Sequence, residues 1–444
     1  MLKKQIDHFL VTKNYFQLKT FLNDSKAVDI ADFIEENNES ILIIFRLLNK
    51  DVSAEVFSHL SSAKQREIVD SIQDKKLKEI LDELFLDDIV DFVEEMPANV
   101  VKRILANSTE EERILINQLL SYNEDSAGSL MTVEYISMKK EWTVKEAIKY
   151  IRDVGTNSES IDSSYVTSNS RQLEGVVSLR DLLLAKDNET ISDIMKNNVI
   201  SIHTYENREK ALELFKKYDL LVLPVVDKEE KLVGIITIDD AVDAIEEENT
   251  EDFQKMAALT PSKEEYLESS VLSLSKHRLL WLLVLMVSAT FTGAIISKYE
   301  GILESMVVLA ASIPMLMDTG GNAGSQSSTL IIRGMALGHI EMKDYLKVVW
   351  KEFRVSLLVG FGLASINFIR MFYLIKTDYR ISIVVSSTLF FTIVLAKLVG
   401  GLLPLGAKRL KLDPAIMAGP LVTTIVDALA LFIYFYFAKL LLDI

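Results

Sequence analysis

The residues best placed to do chemistry sit where hydrocarbon would forbid them. Asp427 lies near the middle of residues 412–443, an almost unbroken apolar run. At 1.5 Å per residue, roughly 20 residues cross a bilayer core of about 30 Å. A carboxylate at that depth costs at least about 2.5 kcal/mol and persists when it faces water, a cation or a partner group. A buried, protonated, hydrogen-bonded Asp is the plainer alternative. Thr423 and Thr424 lie one turn before it, and Gly419-Pro420 loosen the helix two turns before it. Together they outline a polar seam in a lipid-facing segment. A second polar stretch follows Pro314: the sequence DTGGNAGSQ at residues 318–326. Three glycines among polar groups predict an interruption of the helix. Such a break offers backbone carbonyls and the Asn322 amide oxygen to a cation, or forms a re-entrant bend without a ligand.

Five spans position these residues: 279–297, 302–337, 355–375, 381–405 and 414–442. The second, about 36 residues long, exceeds one crossing. Lys276 and Arg278 precede the first span; Lys343, Lys347, Lys351 and Arg354 separate the second and third; Lys408, Arg409 and Lys411 separate the fourth and fifth. The opposite loops carry only Lys298, Lys376 and Arg380. This asymmetry places the N-terminus in the cytoplasm and the C-terminus outside.

The front of the chain is a different object. Residues 276–444 hold 16 Lys/Arg and 10 Asp/Glu, which leaves 32 and 54 of the chain's 48 and 64 for residues 1–275, a balance of -22. Such a surface repels nucleic acid and headgroups and favours metal cations. With no cysteine a disulfide or thiolate metal site is excluded, and only five histidines argue against a soft-metal protein. The opening MLKKQIDHFL leads into no apolar core or cleavage site, so no signal peptide is expected.

Residues 1–125 show helical periodicity throughout, with an echo about 36 residues apart between DVSAEVFSHL and DDIVDFVEEM. That echo fits helical repeats or a plain bundle. Residues 126–245 repeat a strand–helix–strand–strand–helix pattern: LEGVVSLRDLL parallels LVGIITIDDAV, each with a Gly (Gly175, Gly234) at the turn into its final strand. Ser178 to Asp181 and Thr237 to Asp240 each fit a helix N-cap with an acid at its third position. The second copy ends in a run of acids; Asp240, Asp243 and Glu247 share one helix face and repel unless neutralised. Oxygen ligands of this type suit Mg²⁺ or Ca²⁺, although the DxDxDG loop of an EF-hand is missing. Residues 246–276 predict a long polar helix broken near Pro261. If continuous it would be about 45 Å long, either a linker or a lever and plug at the cytosolic mouth.

The duplicated pattern resembles a tandem pair of cystathionine-β-synthase (CBS) domains, and such pairs usually form a flat dimer and sense small ligands. That resemblance implies nucleotide contact at Arg180 and Asp181, with ATP as a possible modulator. The whole chain resembles the MgtE-type magnesium transporters, on Pro314 with GGNAGSQ at residues 320–326, Asp413-Pro414, Gly419-Pro420, Thr423-Thr424 and Asp427, and on the domain order. The implied fold is multi-domain: an all-α acidic N-terminal domain (1–125), an α/β CBS pair (126–245), a connecting plug helix (246–276) and a five-helix transmembrane domain (277–444). The family implies a homodimer with one pore lined by the second and fifth spans, Gly321, Gly324, Gln326, Pro420, Thr423 and Thr424 among its walls. Asp427 and Asn322 would hold a hydrated Mg²⁺ there, with Asp413 near the pore. Regulatory Mg²⁺ sites would map to Asp88 or Asp91, to Glu209 and Asp219, and to Asp240, Asp243, Glu248, Glu251 and Asp252. One family acid falls on Asn207, and a pore asparagine position is Gly419. The expectation is magnesium uptake across the cell membrane, gated closed when cytosolic Mg²⁺ bridges the acidic faces. No Walker or phosphorylation motif is visible, so neither an enzyme nor an ATP-driven pump is expected. A proton-coupled carrier of Co²⁺ or Mn²⁺ is the alternative.

Overall fold

A computed structural model describes residues 2–37, 41–94, 96–262, 266–267 and 269–442. The chain divides into two compact units, Met1–Ile245 and Glu246–Ile444.

The first unit opens with ten helices among the described residues, α1 (Leu2–Val11) through α10 (Glu110–Leu119). α5 (Lys50–Ser58) and α8 (Leu86–Glu94) begin and end 36 residues apart. So do α6 (Ser62–Ser71) and α9 (Ala98–Asn107). The echo is therefore a repeat in structure as well as sequence. Its stacking is apolar: Phe57 of α5 meets Phe92 of α8 edge-on at 5.1 Å between ring centroids.

Two three-stranded sheets follow. β1 (Ser137–Met138) pairs parallel to β2 (Ser163–Thr167), which pairs antiparallel to β3 (Leu173–Ser178). β4 (Ile202–His203), β5 (Val222–Val226) and β6 (Leu232–Thr237) repeat the order. Each first strand leads into an amphipathic helix, α11 (Val144–Val154) or α14 (Arg208–Tyr218), and α12 (Leu179–Leu184) follows β3. α13 (Ile191–Ile194) closes the first half, and α15 (Ile238–Met256) follows β6. The two glycines expected at turns lie inside strands. A Cβ on Gly175 would stand 2.9 Å from Met195 Sδ, and one on Gly234 2.7 Å from Met131 Sδ. Each halves' final strand thus receives the methionine of a crossing segment, bridged at Val176–Lys196 and Thr132–Ile235. The caps are as the pattern requires: Ser178 Oγ accepts from Asp181 N at 3.1 Å and donates to Asp181 Oδ2 at 2.7 Å. Thr237 Oγ1 donates likewise to Asp240.

In the second unit the connecting segment 246–276 is broken around Pro261, as its sequence predicts. α15 stops at Met256, Ala258 turns to a φ of +53°, and α16 (Val271–Lys298) begins afresh. A left-handed residue followed by Pro261 cannot propagate a helix. α17 (Glu300–Ser305), α18 (Val307–Ala336), α19 (Tyr345–Ile369), α20 (Tyr379–Arg409) and α21 (Gly419–Leu442) complete the unit. A π turn (Arg370–Leu374) extends α19, and a 3₁₀ turn (Pro414–Met417) precedes α21. Among the described residues, four helical stretches are long and apolar enough to cross a membrane: Val271–Lys298, Met342–Leu374, Tyr379–Arg409 and Pro414–Leu442.

α18 corrects the sequence reading most sharply. The break falls at Met306, before it, and the DTGGNAGSQ stretch lies inside one unbroken helix of 30 residues. Its glycines are contact surface. A Cβ on Gly320 would come within 2.6 Å of Thr392 Cγ2, one on Gly324 within 2.6 Å of Val422 Cγ1, and one on Gly400 of α20 within 2.1 Å of Gly324 O. Small residues four apart let membrane helices approach backbone to backbone. Packed against α20 and α21, the stretch keeps its backbone amides paired within the helix. Backbone carbonyls of this stretch are therefore spent within the helix.

Candidate functional site

α18 is held between α20 and α21, and its remaining face is exposed. On that face Pro314, Asp318, Asn322 and Gln326 follow one another at four-residue spacing. This is one stripe along the helix. Asn322 Nδ2 donates to Asp318 Oδ1 at 3.2 Å. Asp427, half-buried on the neighbouring α21, lies within electrostatic reach of Asp318. Exposed surface elsewhere in this unit is of another kind: Leu279, Leu280, Leu282, Leu283, Met286 and Phe291 give α16 an apolar outer surface.

The other expected pore residues divide by role. Gly321 sits against Thr423, where a Cβ would stand 2.9 Å from Thr423 Cγ2. With Gly324 it is buried in the α18–α21 contact, so these two set the helix separation instead of facing open space. Thr423 Oγ1 and Thr424 Oγ1 donate back to Pro420 O at 2.8 and 2.9 Å, satisfying a carbonyl of the first turn of α21. Gln326 stays exposed. Gly419 has a φ of +29°, and a Cβ there would press to 2.9 Å from Met256 O, which explains why asparagine is not the residue used.

Beside this seam, Asp413 caps the 3₁₀ turn, accepting from Ala415 N at 2.8 Å, and also accepts from Lys255 Nζ at 2.6 Å. Lys255 pairs with Glu251 as well, and the two acids hold its ammonium above its ordinary range although burial opposes this. Asp252 is pushed up to about 6, chiefly by burial and then by Asp413, against the opposing pull of Lys255, with Glu248 and Glu251 adding to the rise.

A second acidic focus lies in the first unit. Asp87 and Asp88 of α8 face Asp240 of α15, with Glu134 and Glu159 beside them. Burial, then mutual repulsion, pushes Asp88 up to about 6 and Glu159 to about 8, and raises Asp87 well above the usual carboxylate range. Burial likewise takes Asp240 to about 6, against the pull of its bond from Thr237. Glu134 is raised by burial although it accepts from Leu86 N at 3.0 Å. One oxygen of Glu159 is buried without a hydrogen-bond partner. Asp91 and Asp243 are exposed on the same two helices. Among the described residues no three acidic or histidine side chains close around a single point.

Glu209 and Asp219 do not meet: they stand at opposite ends of α14, Asp219 as its left-handed C-cap with a φ of +50°. Asp181 is committed to its cap and lies 3.8 Å from Lys196 Nζ, while Arg180 is exposed beside it.

Comparison with known proteins agrees with this layout. A family description of divalent cation transporters, MgtE, matches residues 313–437; the MgtE intracellular N domain matches 25–125; CBS domains match 127–188 and 191–247. The magnesium transporter MgtE of Thermus thermophilus is 38% identical over 433 residues, 96% of this chain and 95% of its own. The chain belongs to the MgtE family. The Bacillus subtilis magnesium transporter MgtE is 34% identical over 79% of this chain and 77% of its own length. Among solved structures, the cytosolic domain of the Mg²⁺ channel MgtE in complex with ATP is 34% identical, with a TM-score of 0.52 over 55% of this chain and 99% of that one. The soluble part of a magnesium transporter is 25% identical, with a TM-score of 0.53. MgtE proteins are non-enzymatic membrane transporters, and the apolar helices of the second unit fit a chain that crosses the bilayer several times.

Sequence reasoning about the MgtE motifs did not single out Asp318, Glu134 or Glu159 as site residues. Asp318 carried a usable signal, the four-residue spacing to Asn322 and Gln326. Glu134 and Glu159 carried none, because only the fold brings them beside α8.

Proposed function

We propose that this chain carries Mg²⁺ into the cell through a pore on the twofold axis of a homodimer. The observation that carries this reading is the exposed Asp318–Asn322–Gln326 stripe beside Asp427. Polar groups at membrane depth belong against water or protein, so this face of α18 is turned to a second copy and an aqueous path between the two. With the α18 carbonyls engaged, the ligands are side chains: Asp427 and Asn322, joined by Asp318. Two sets of carboxylates across a dimer axis repel until a divalent ion enters. An ion held through its water shell can leave again. The membrane potential drives it inward with about 2.3 kcal/mol per charge per 100 mV.

The regulatory reading rests on the acidic foci. Repulsion among Asp87, Asp88, Glu159 and Asp240 is relieved by cytosolic Mg²⁺, and Asp91 and Asp243 lie on the same helices. Asp240, Asp243, Glu248, Glu251 and Asp252 all stand on α15, whose end is held at Asp413, before α21, by the Lys255 ammonium, a weaker bridge that a divalent ion would replace. An ion bound at one end of α15 thereby biases the other, closing the path when Mg²⁺ is plentiful. Glu209 and Asp219 would serve separate ions. The ATP complex of the related cytosolic domain supports a modulating nucleotide near Arg180 and Asp181. The N-terminus lies in the cytoplasm and the C-terminus outside on this reading. Current recording in liposomes with Mg²⁺ varied on each side tests it. Mg²⁺-dependent current that falls as cytosolic-side Mg²⁺ rises supports the proposal, and flux that follows a pH gradient instead overturns it.

A further inference from the structure

Two buried charges in the membrane unit take no part in the path just described. Glu352 of α19 and Lys397 of α20 are 9% and 6% exposed, and between them lies Ser327 of α18, 1% exposed. Ser327 Oγ donates to Glu352 Oε2 at 2.6 Å and accepts from Lys397 Nζ at 3.4 Å. One hydroxyl thus joins three helices through a carboxylate and an ammonium. Charges so far from water are costly, and pairing alone seldom recovers the cost against apolar residues of similar size. Such groups are informative about geometry: a polar contact in hydrocarbon has a direction, which an apolar contact lacks.

The position of the contact gives that direction a use. Ser327 is one turn beyond Gly324, and Lys397 one turn before Gly400, and these two glycines mark the closest approach of α18 to α20. A glycine crossing fixes how near two helices lie but has little grip on their rotation, because it has no side chains to interlock. The hydroxyl bond one turn away supplies the grip. Gly401 leaves room for Glu352 and no more, since a Cβ there would stand 3.1 Å from Glu352 Cγ. On the next residue, Ser328 Oγ donates to Met417 O at 2.8 Å, anchoring α18 to the turn before α21 as well. The face opposite this anchorage carries Asn322 and Gln326.

We propose that Glu352, Ser327 and Lys397 form a rotational lock on α18, positioning residues that fix which face of the helix meets the ion. The proposal rests on the reading of that face as the path wall. The chain has no cysteine, so single thiols report on rotation directly. Gln326→Cys and Ser325→Cys are each introduced into the full chain in liposomes and their labelling rates by a charged water-soluble thiol reagent compared. With the lock intact, position 326 labels faster than 325. Removing both charged groups together (E352L with K397M, which strands neither) or the hydroxyl (S327A) lowers the 326-to-325 ratio by about threefold or more, the size expected for a local coupling. Exchanging the charges, E352K with K397E, restores it. An unchanged ratio in S327A or in the E352L/K397M pair overturns the lock. Failure of the path reading is separate: labelling at 326 in the otherwise unaltered chain would then leave Mg²⁺ flux untouched.

Discussion

Asp427 and Asp318 differ in what they ask of the chain. Asp427 is half-buried on α21, and Asp318 is exposed on α18 with Asn322 as its hydrogen-bond partner. If both charges attract the ion, their removal has graded effects. Asp427→Ala abolishes Mg²⁺ uptake, by at least about tenfold, with membrane expression retained. Asp318→Asn, which keeps the contact to Asn322 possible, weakens uptake mainly at low external Mg²⁺ by removing attraction at the entrance. Flux into liposomes against external Mg²⁺ checks both, and normal uptake by Asp427→Ala would take that residue out of the path. Asp427 was legible in sequence because an acid amid apolar residues has few explanations. Asp318 was in plain view and still escaped, because its partnership at four-residue spacing exists only if the helix is unbroken.

At the scale of elements, α18 shows what glycine means in two solvents. In water a Gly-Gly pair beside Asn favours a break, at about 1 kcal/mol per glycine relative to alanine. Here Gly320, Gly324 and Gly400 let three helices touch, and the same residues that predicted a loop make the bundle's tightest crossing. Gly400→Leu drives a side chain into the Gly324 carbonyl and destabilises the membrane unit by about 1–3 kcal/mol or more, read as a lower melting temperature in detergent. Gly362, with open space around its Cα, tolerates the same change. The sequence pattern gave an echo that the structure resolves into helical repeats, both CBS halves with their caps, and the C-terminal ends of the apolar helices to within a few residues, while α16 and α19 begin 8 and 10 residues before the expected spans. Pro261 gave the break after α15 but not its last residue, because Ala258 adopts a left-handed turn that its residue type does not announce. Nor did the pattern give the buried Glu352–Lys397 pair: Glu352 resembles an ordinary charge just outside a span, and Lys397, inside one, has a partner that only the packing of α18, α19 and α20 reveals.

For the whole molecule, the acids raised by burial make a statement about pH. Asp88, Asp240 and Asp252 near 6 and Glu159 near 8 bind protons more tightly folded than unfolded. Folding therefore takes up protons, and without metal the protein loses stability as pH rises above about 4, where unfolded carboxylates ionise, through 6 to 8. On the proposed reading, Mg²⁺ neutralises the same groups. The rise in melting temperature on adding Mg²⁺ is accordingly larger at pH 8 than at pH 5.5, and a shift equal at both values would remove these acids from the sensor. Neutralising Asp240 and Asp243 together leaves transport intact and blunts its inhibition by internal Mg²⁺, measured as current against cytosolic-side concentration.

The tie between Lys255 and the acids Glu251 and Asp413 has a quantitative corollary. A tethered ammonium already occupies that ground, so an arriving divalent ion must win a contest against a rival that never diffuses away. The threshold for shutting the path is thereby set higher than the acids alone would set it. Exchanging Lys255 for glutamine moves inhibition to lower internal Mg²⁺, turning a cell's tolerance for stored magnesium into a property of one side chain.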